Sequence, residues 1–223
     1  MTAMAGTDRA QVLGRLRQAE NRHGKTPHPG PVKPPKRGSL SGSKRTEAFI
    51  AEAEKQFASI SRLDRLDQLP DWLGSWLRKQ NLPQQAVIAP MLEKLDWSAS
   101  QLDFRFGPAT TADAVGLSCA RAAAAETGTL MMLSSAATPT TLNFVPDTEV
   151  VVLAEEDIEA GLEGCWAVLR RHRDADGEMP RAVNFVTGPS RTADIEATLV
   201  LGAHGPRRLH IVILQEQPWP ADA

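Results

Sequence analysis

The stretch "EVVVLAEEDIEAGLEGCWAVLRRHRDADGEMPRAVNFV", residues 149–186, decides the fold class. It opens on "EVVVLA" at 149–154 and closes on "AVNFV" at 182–186, two short apolar runs with little polar alternation, as in strands covered on both faces. Between them Ile158, Leu162, Trp166 and Leu169 recur at helical spacing and mark a helix of about four turns. Strand, helix and strand in that order are the βαβ signature of a largely parallel sheet.

Working outward, "QAVIA" at 85–89, "LDFRF" at 102–106, "TLMML" at 129–133 and "LHIVIL" at 209–214 add strands. Two amphipathic helices precede them, one through Phe49, Ile50, Ala53, Phe57 and Ile60, the other through Leu69, Trp72, Leu73, Trp76 and Leu77. The run "CARAAAAETGTLMML", 119–133, predicts a short alanine helix that ends in Glu126 and is stopped by a left-handed Gly128 before a strand begins. The expectation is a three-layer α/β domain with a mostly parallel sheet, right-handed crossovers and helices on both faces.

The formal net charge of −2 hides an asymmetry. Residues 1–45 carry ten Lys or Arg against Asp8 and Glu20, a balance of +8, while the remainder has fifteen basic against twenty-five acidic residues, a balance of −10. Residues 1–43 read as a basic arm: a marginal helix over Asp8–Ala19, then a Pro/Gly-rich connector over Asn21–Ser43. The body spans 44–216, and 217–223 is a tail. The arm has no aromatic residue for base stacking and no recognised binding motif, which argues against nucleic acid and for contact with an acidic body. The longest strongly apolar stretch, Val150–Ala154, is far too short to span a bilayer, and the N-terminus lacks a secretory apolar core, so a cytoplasmic protein is expected. Cys119 and Cys165, forty-six positions apart, make neither a disulfide framework nor a metal pair, and an iron–sulfur cluster normally takes four thiolates.

In open α/β sheets ligands bind outside the carboxyl ends of strands, which points to Glu126-Thr127-Gly128-Thr129 and to "VTGPSRTADIE" at 186–196. A carboxylate in a last helical turn meets the negative end of the helix dipole and needs compensation. Arg191 or a neighbouring N–H array across a shared cleft would supply it, while partial burial and the helix end would each raise the Glu126 pKa, as a general acid or base near neutral pH requires; a nucleophile is the other role open to it. Gly188 and Pro189 make a turn, and Ser190 and Thr192 are candidate N-caps of a helix through Leu199. Exposed N–H groups there, with Arg191, suit a carboxylate or phosphate. Asp194 and Glu196 satisfy a helix start themselves and weaken that reading. His204 falls in a loop and His210 in a strand, where it reads as a core side chain; the Trp72/Trp76 pair reads as packing. No His, Asp, Glu or Cys group has metal spacing, and phosphate-loop, dinucleotide and nucleophile-elbow motifs are absent.

"AAAAETGTLMMLSS", then "TTLNFVPDTEVVVLAEEDI", then "NFVTGPSRTADIEATLVLGAHGPRRLHIVIL" closely resemble the LUD domain of the lactate utilization protein C family, from about Leu117 to Leu214 and back toward Lys44. The resemblance implies the fold of ribose-5-phosphate isomerase, glucosamine-6-phosphate deaminase and CoA transferases (NagB/RpiA/CoA transferase-like), here with an N-terminal helical extension. It implies a part in bacterial oxidation of L-lactate to pyruvate, as a non-redox subunit binding a small hydroxy- or oxo-acid or its partners. Those partners are other lactate utilization proteins, including an iron–sulfur protein; this chain itself would hold no cofactor. The family-like positions are Glu126, Thr127, Gly128 and Thr129 in one loop, Gly188, Ser190, Arg191, Thr192, Asp194 and Glu196 in another, and His204 in a third. A stand-alone isomerase or acyl-transfer enzyme using Glu126, by analogy with the glutamate nucleophile of CoA transferases, and a regulatory small-acid sensor are the competing readings.

Overall fold

In the computed structural model the chain divides into two units, Met1–Pro34 and Pro35–Ala223. The structure describes residues 13–15, 42–176, 179–193, 199–202 and 204–216. In the first unit this is one exposed helical turn, residues 13–15, inside the helix expected over Asp8–Ala19. The remainder of that helix, the connector up to residue 41, Asp194, Glu196 and the tail from 217 lie outside the described residues.

The second unit runs α1 (Ser43–Lys55), β1 (Ser59–Leu63), α2 (Leu69–Lys79), β2 (Gln85–Ile88), β3 (Asp103–Phe106), β4 (Val115–Cys119), β5 (Ala122–Ala124), β6 (Thr129–Leu133), β7 (Thr148–Ala154), β8 (Ile158–Glu159), α3 (Leu162–Asp176), β9 (Val183–Val186), β10 (Arg191–Ala193), β11 (Leu199–Leu201) and β12 (Arg208–Leu214). Six strands form one parallel sheet in the order β1-β12-β7-β4-β2-β3. A second, mixed sheet runs β8-β5-β6-β9.

Strand alternation sorts the core. On one face Val150 and Val152 of β7 and Val212 and Leu214 of β12 pack with Leu69, Leu73 and Leu77 of α2, three leucines one turn apart and fully buried. Each contributes about 1.5–3 kcal/mol relative to exposure. Pro70 stands in the first turn of α2, where a missing N–H removes no helical bond. On the same side His210 lies against Trp72 and Trp76, with centroids 5.4 and 4.4 Å away, and its ring nitrogens meet Ser59 Oγ at 2.7 Å and Ser61 Oγ at 3.1 Å. Burial lowers its pKa to about 4, so the ring is a neutral, hydrogen-bonded core side chain.

On the other face Val151, Leu153, Ile211 and Ile213 meet Phe49 and Ala53 of α1, together with Ala123, Leu130 and Met132 of the second sheet. The reverse side of that second sheet, Ala122, Ala124, Met131 and Leu133, is covered by Cys165, Val168 and Leu169 of α3.

This layering corrects four expectations. The alanine run is a strand: Ala122, Ala123, Ala124 and Ala125 are all fully buried, with Ala122 opposite Met131 and Ala124 opposite Thr129. Alanine is the best helix former, but a strand packed closely on both faces needs small side chains, and tertiary context outweighs the fraction of a kcal/mol of propensity. The helix expected after Ser190 is the antiparallel pair β10–β11. Ser190's carbonyl accepts the Gly202 N–H at 3.0 Å and its own N–H donates to Pro206 O at 2.8 Å, so the cap position is consumed by strand pairing. The first helix stops at Lys55 rather than running to Ile60, because Phe57 adopts φ 68° and closes a Schellman-type end, with Ala58 N–H donating to Ala53 O and Phe57 N–H to Glu54 O. Finally, the two strands of the deciding stretch, β7 and β9, lie in different sheets. The helix α3 between them covers the second sheet rather than making a crossover within the first.

Candidate functional site

The two motif turns are each fixed by a glycine pressed onto α1. Gly128 has φ 65°, and a Cβ there would strike the backbone of Glu52 and Ala53, 2.7 Å from Ala53 Cα. Gly188 has φ 79°, and a Cβ there would overlap the Gln56 carbonyl just past the end of α1. Both positions therefore demand glycine twice, for conformation and for space. A hydroxyl chain joins the turns: Thr127 Oγ1 lies 2.7 Å from Thr129 Oγ1, which lies 2.7 Å from Thr187 Oγ1.

Glu126 is bonded to the start of α3. Its Oε1 accepts the Leu162 N–H at 3.0 Å, which places the carboxylate at the amino end of α3, against Gly161. There the dipole is favourable, so the compensation that the sequence demanded comes from an N-terminus and not from a guanidinium. Arg191 donates from Nη2 to Gln56 Oε1 at 3.2 Å and its guanidinium carbon stands 4.2 Å from the centre of the exposed Phe57 ring. The acid and the guanidinium thus take different partners.

What the second motif does form is a cavity of about 350 Å³ whose wall includes Gly188, Ser190, Arg191 and His204 together with Asn143, Phe144, Glu149 and Thr187. Glu149 and Leu209 are the second residues of β7 and β12, so this cavity lies at the amino ends of the parallel strands, opposite to where the carboxyl-end rule pointed. Ser190 holds its walls: besides its two backbone bonds, its Oγ accepts the His204 N–H at 3.4 Å. Thr127, Gly128 and Thr129 stand behind the wall, coupled to it by Thr187. Thr192 lies in β10, opposite Val200 of β11.

Glu149 is the unusual group. It is 1% exposed, and Ser118 Oγ donates to its Oε1 at 3.0 Å. Burial pushes its pKa up to about 8, and the Ser118 bond pulls in the opposite direction. Near neutral pH it is a carboxylic acid, able to donate one hydrogen bond and accept others. A guanidinium with donors beyond the one given to Gln56, beside a neutral carboxyl, makes a cavity suited to an organic acid bearing a second oxygen.

Among the described residues no group of three or more His, Cys, Asp and Glu could hold a metal ion. Cys119 and Cys165 are both buried, in separate clusters on different layers, and desolvation raises both thiols. No helix among the described residues is long and apolar enough to cross a membrane.

A family model described as the LUD domain matches residues 46–214. The chain belongs to the LUD domain family. Among its relatives, lactate utilization protein C of Geobacillus kaustophilus is 29% identical over 103 residues, 46% of this chain and 43% of that protein. The Bacillus subtilis protein of the same name is 26% identical over 122 residues, 55% of this chain and 50% of that protein. An uncharacterized protein of Neisseria meningitidis serogroup B is 40% identical over 108 residues, 48% of this chain and 45% of that one. The chain thus spans about half the length of the curated relatives it matches. The crystal structure of a DUF162 family protein from Deinococcus radiodurans superposes with a TM-score of 0.57 at 22% identity, covering 79% of this chain and 99% of that one, which supports the shared fold.

Within this LUD domain, Glu149 is the site residue that motif reading passes over. Its signal lies in "TEVVVLA": period two puts Glu149 on the face of Val151 and Leu153, an acid in line with the core. A carboxylate on the apolar face of a strand flanked on both sides is a reason to look there.

Proposed function

We propose that this chain serves a lactate utilization system as a component without a redox centre of its own, binding the small hydroxy- or oxo-acid in the Arg191–Glu149 cavity. The reading rests on that cavity, where one fixed cation and one protonated carboxyl border a single space, together with the relatives named lactate utilization protein C. The ligand carboxylate pairs with Arg191 and Ser190, and its 2-oxygen meets Glu149, which donates to the keto oxygen of pyruvate or accepts from the hydroxyl of lactate. Oxidation of lactate removes two electrons and two protons; the electrons pass to redox centres on a partner, an iron–sulfur protein, and the protons are released to solvent, while this chain holds or presents the acid.

The test is calorimetric titration of the chain with pyruvate and with L-lactate, beside capture of partners from lactate-grown cells. Saturable binding of at least one acid, weakened tenfold or more by Arg191→Ala, supports the reading; that loss corresponds to about 1.4 kcal/mol, the worth of one charge-assisted hydrogen bond. Absence of binding by both acids, with normal growth on lactate after deletion of the gene, refutes it. The rival reading, an acyl-transfer or isomerase enzyme working through Glu126, requires turnover by the purified chain that Glu126→Gln abolishes with the fold intact. The Glu126 carboxylate would have to leave the Leu162 N–H to act.

A further inference from the structure

A second cavity opens at the other end of the six-stranded sheet. Cys119 is the last residue of β4 and Met91 follows β2 by three positions, so these side chains mark the carboxyl ends of the parallel strands. With Arg121 and Leu133 they bound a largely apolar compartment of about 330 Å³, within the range of small-molecule sites. Ser134, Ser135 and His172 belong both to this wall and to that of a wider, more polar compartment of about 620 Å³ that Arg181 also lines. Neither compartment shares a residue with the Glu149 cavity.

The walls are pre-formed. Ser135 Oγ accepts the N–H groups of Ala137 and Thr138, at 3.1 and 3.0 Å, and lies 2.8 Å from Thr138 Oγ1. Ser134 Oγ accepts the Ala182 N–H at 2.8 Å, tying this loop to the segment that carries Arg181. Thr138 Oγ1 donates to Leu133 O at 2.8 Å, which closes the end of β6. One group is conspicuously unsatisfied: Arg121 Nε is buried without a hydrogen-bond partner, while Nη1 stands 3.8 Å from Asp157 Oδ1. A buried donor left unpaired in a cavity wall calls for an occupant with an acceptor.

We propose that these joined compartments bind an organic phosphate with a flat apolar end. The apolar end enters between Met91 and Leu133 and offers a ring acceptor to Arg121. The phosphate lies in the wider compartment between His172 and Arg181. A phosphate is favoured over a carboxylate because its dianion presents three acceptor oxygens and engages an imidazole and a guanidinium at once, whereas a carboxylate is filled by the guanidinium fork alone. This inference does not depend on the lactate reading, since it concerns different residues at the opposite end of the sheet.

The experiment is calorimetric titration of the full chain with AMP, inorganic phosphate and octanoate. AMP is expected to bind saturably, at least tenfold more tightly than inorganic phosphate, and to lose tenfold or more in Arg181→Ala and in Ala137→Trp, which fills the apolar compartment. Arg181 is exposed, so its variant keeps the test readable should Ala137→Trp fail to fold. Lack of saturation by AMP at millimolar concentration overturns the proposal. So does unchanged AMP affinity in Arg181→Ala, or tighter binding of octanoate than of AMP, which would mark a site for apolar carboxylates instead.

Discussion

Replacing Glu149 with glutamine should stabilise the protein, and by an amount that depends on pH in a defined direction. The Glu149 carboxyl has its pKa raised from 4.5 to about 8 by burial. Between those values the folded protein keeps the proton and the unfolded chain releases it, so the folded state binds more protons and its stability falls as pH rises. The slope is about 1.4 kcal/mol per pH unit, which gives roughly 3 kcal/mol at pH 7 and up to about 5 kcal/mol above pH 8. Against a total stability of about 5–15 kcal/mol this is a large share. Glutamine has the same shape, still accepts from Ser118 Oγ and never ionises, so Glu149→Gln should match the wild type near pH 4.5 and exceed it progressively above. Urea melts at half-unit intervals from pH 4.5 to 8.5, taken as variant minus wild type, isolate the effect, because every other titrating group cancels in the difference. A difference that stays flat over this interval, or a variant destabilised equally at all pH values, would refute the reasoning, since either means that Glu149 is ionised in the fold with a partner.

His210 predicts the opposite limb. Its folded pKa of about 4 lies below the ordinary 6.5, so as pH falls through that window the unfolded chain takes up a proton that the fold excludes, and stability drops by roughly 3 kcal/mol in all; His210→Asn should abolish this acid limb in melts followed by Trp fluorescence. Gly128→Ala places a methyl group against the α1 backbone at a positive φ and should cost more than the roughly 1 kcal/mol of left-handed strain alone, read as a large drop in Tm or failure to fold. Glu126→Gln keeps an acceptor for the Leu162 N–H and loses only the dipole interaction, about 0.3–1 kcal/mol, whereas Glu126→Ala should lose about 1 kcal/mol or more in urea melts.

The strands β7 and β12 were legible because they are buried along nearly their whole length and leave continuous apolar runs, whereas β4, equally buried, went unread because Gly116 and Ser118 interrupt its apolar pattern. The amphipathic α2 announced itself for the same kind of reason, through Leu69, Leu73 and Leu77. The alanine run misled because its message is about space rather than hydrogen bonding. Ala122 to Ala125 are small since α3 and the main core press on the two sides of β5, a constraint invisible until the layers are stacked. Once that segment reads as a strand, Glu126 changes meaning. It is no longer an acid stranded at a helix end but the turn residue that caps a different helix thirty-six positions on, a contact no local window contains.

The motif glycines follow the same logic. Their fixed spacing to Thr and Ser looks like ligand chemistry, but Gly128 and Gly188 are demanded by the close approach of α1, which the sequence places some seventy or more residues earlier. What the second motif contributes to binding is therefore indirect. By docking on Gln56 it carries Ser190 and Arg191 to the amino ends of β7 and β12, where the side chain most worth testing, Glu149, belongs to neither motif turn. Burial turns that residue from an ordinary surface-type acid into a proton donor at neutral pH, and only the sheet register, which sets Glu149 opposite Gly116 on one side and Leu209 on the other, brings that burial about.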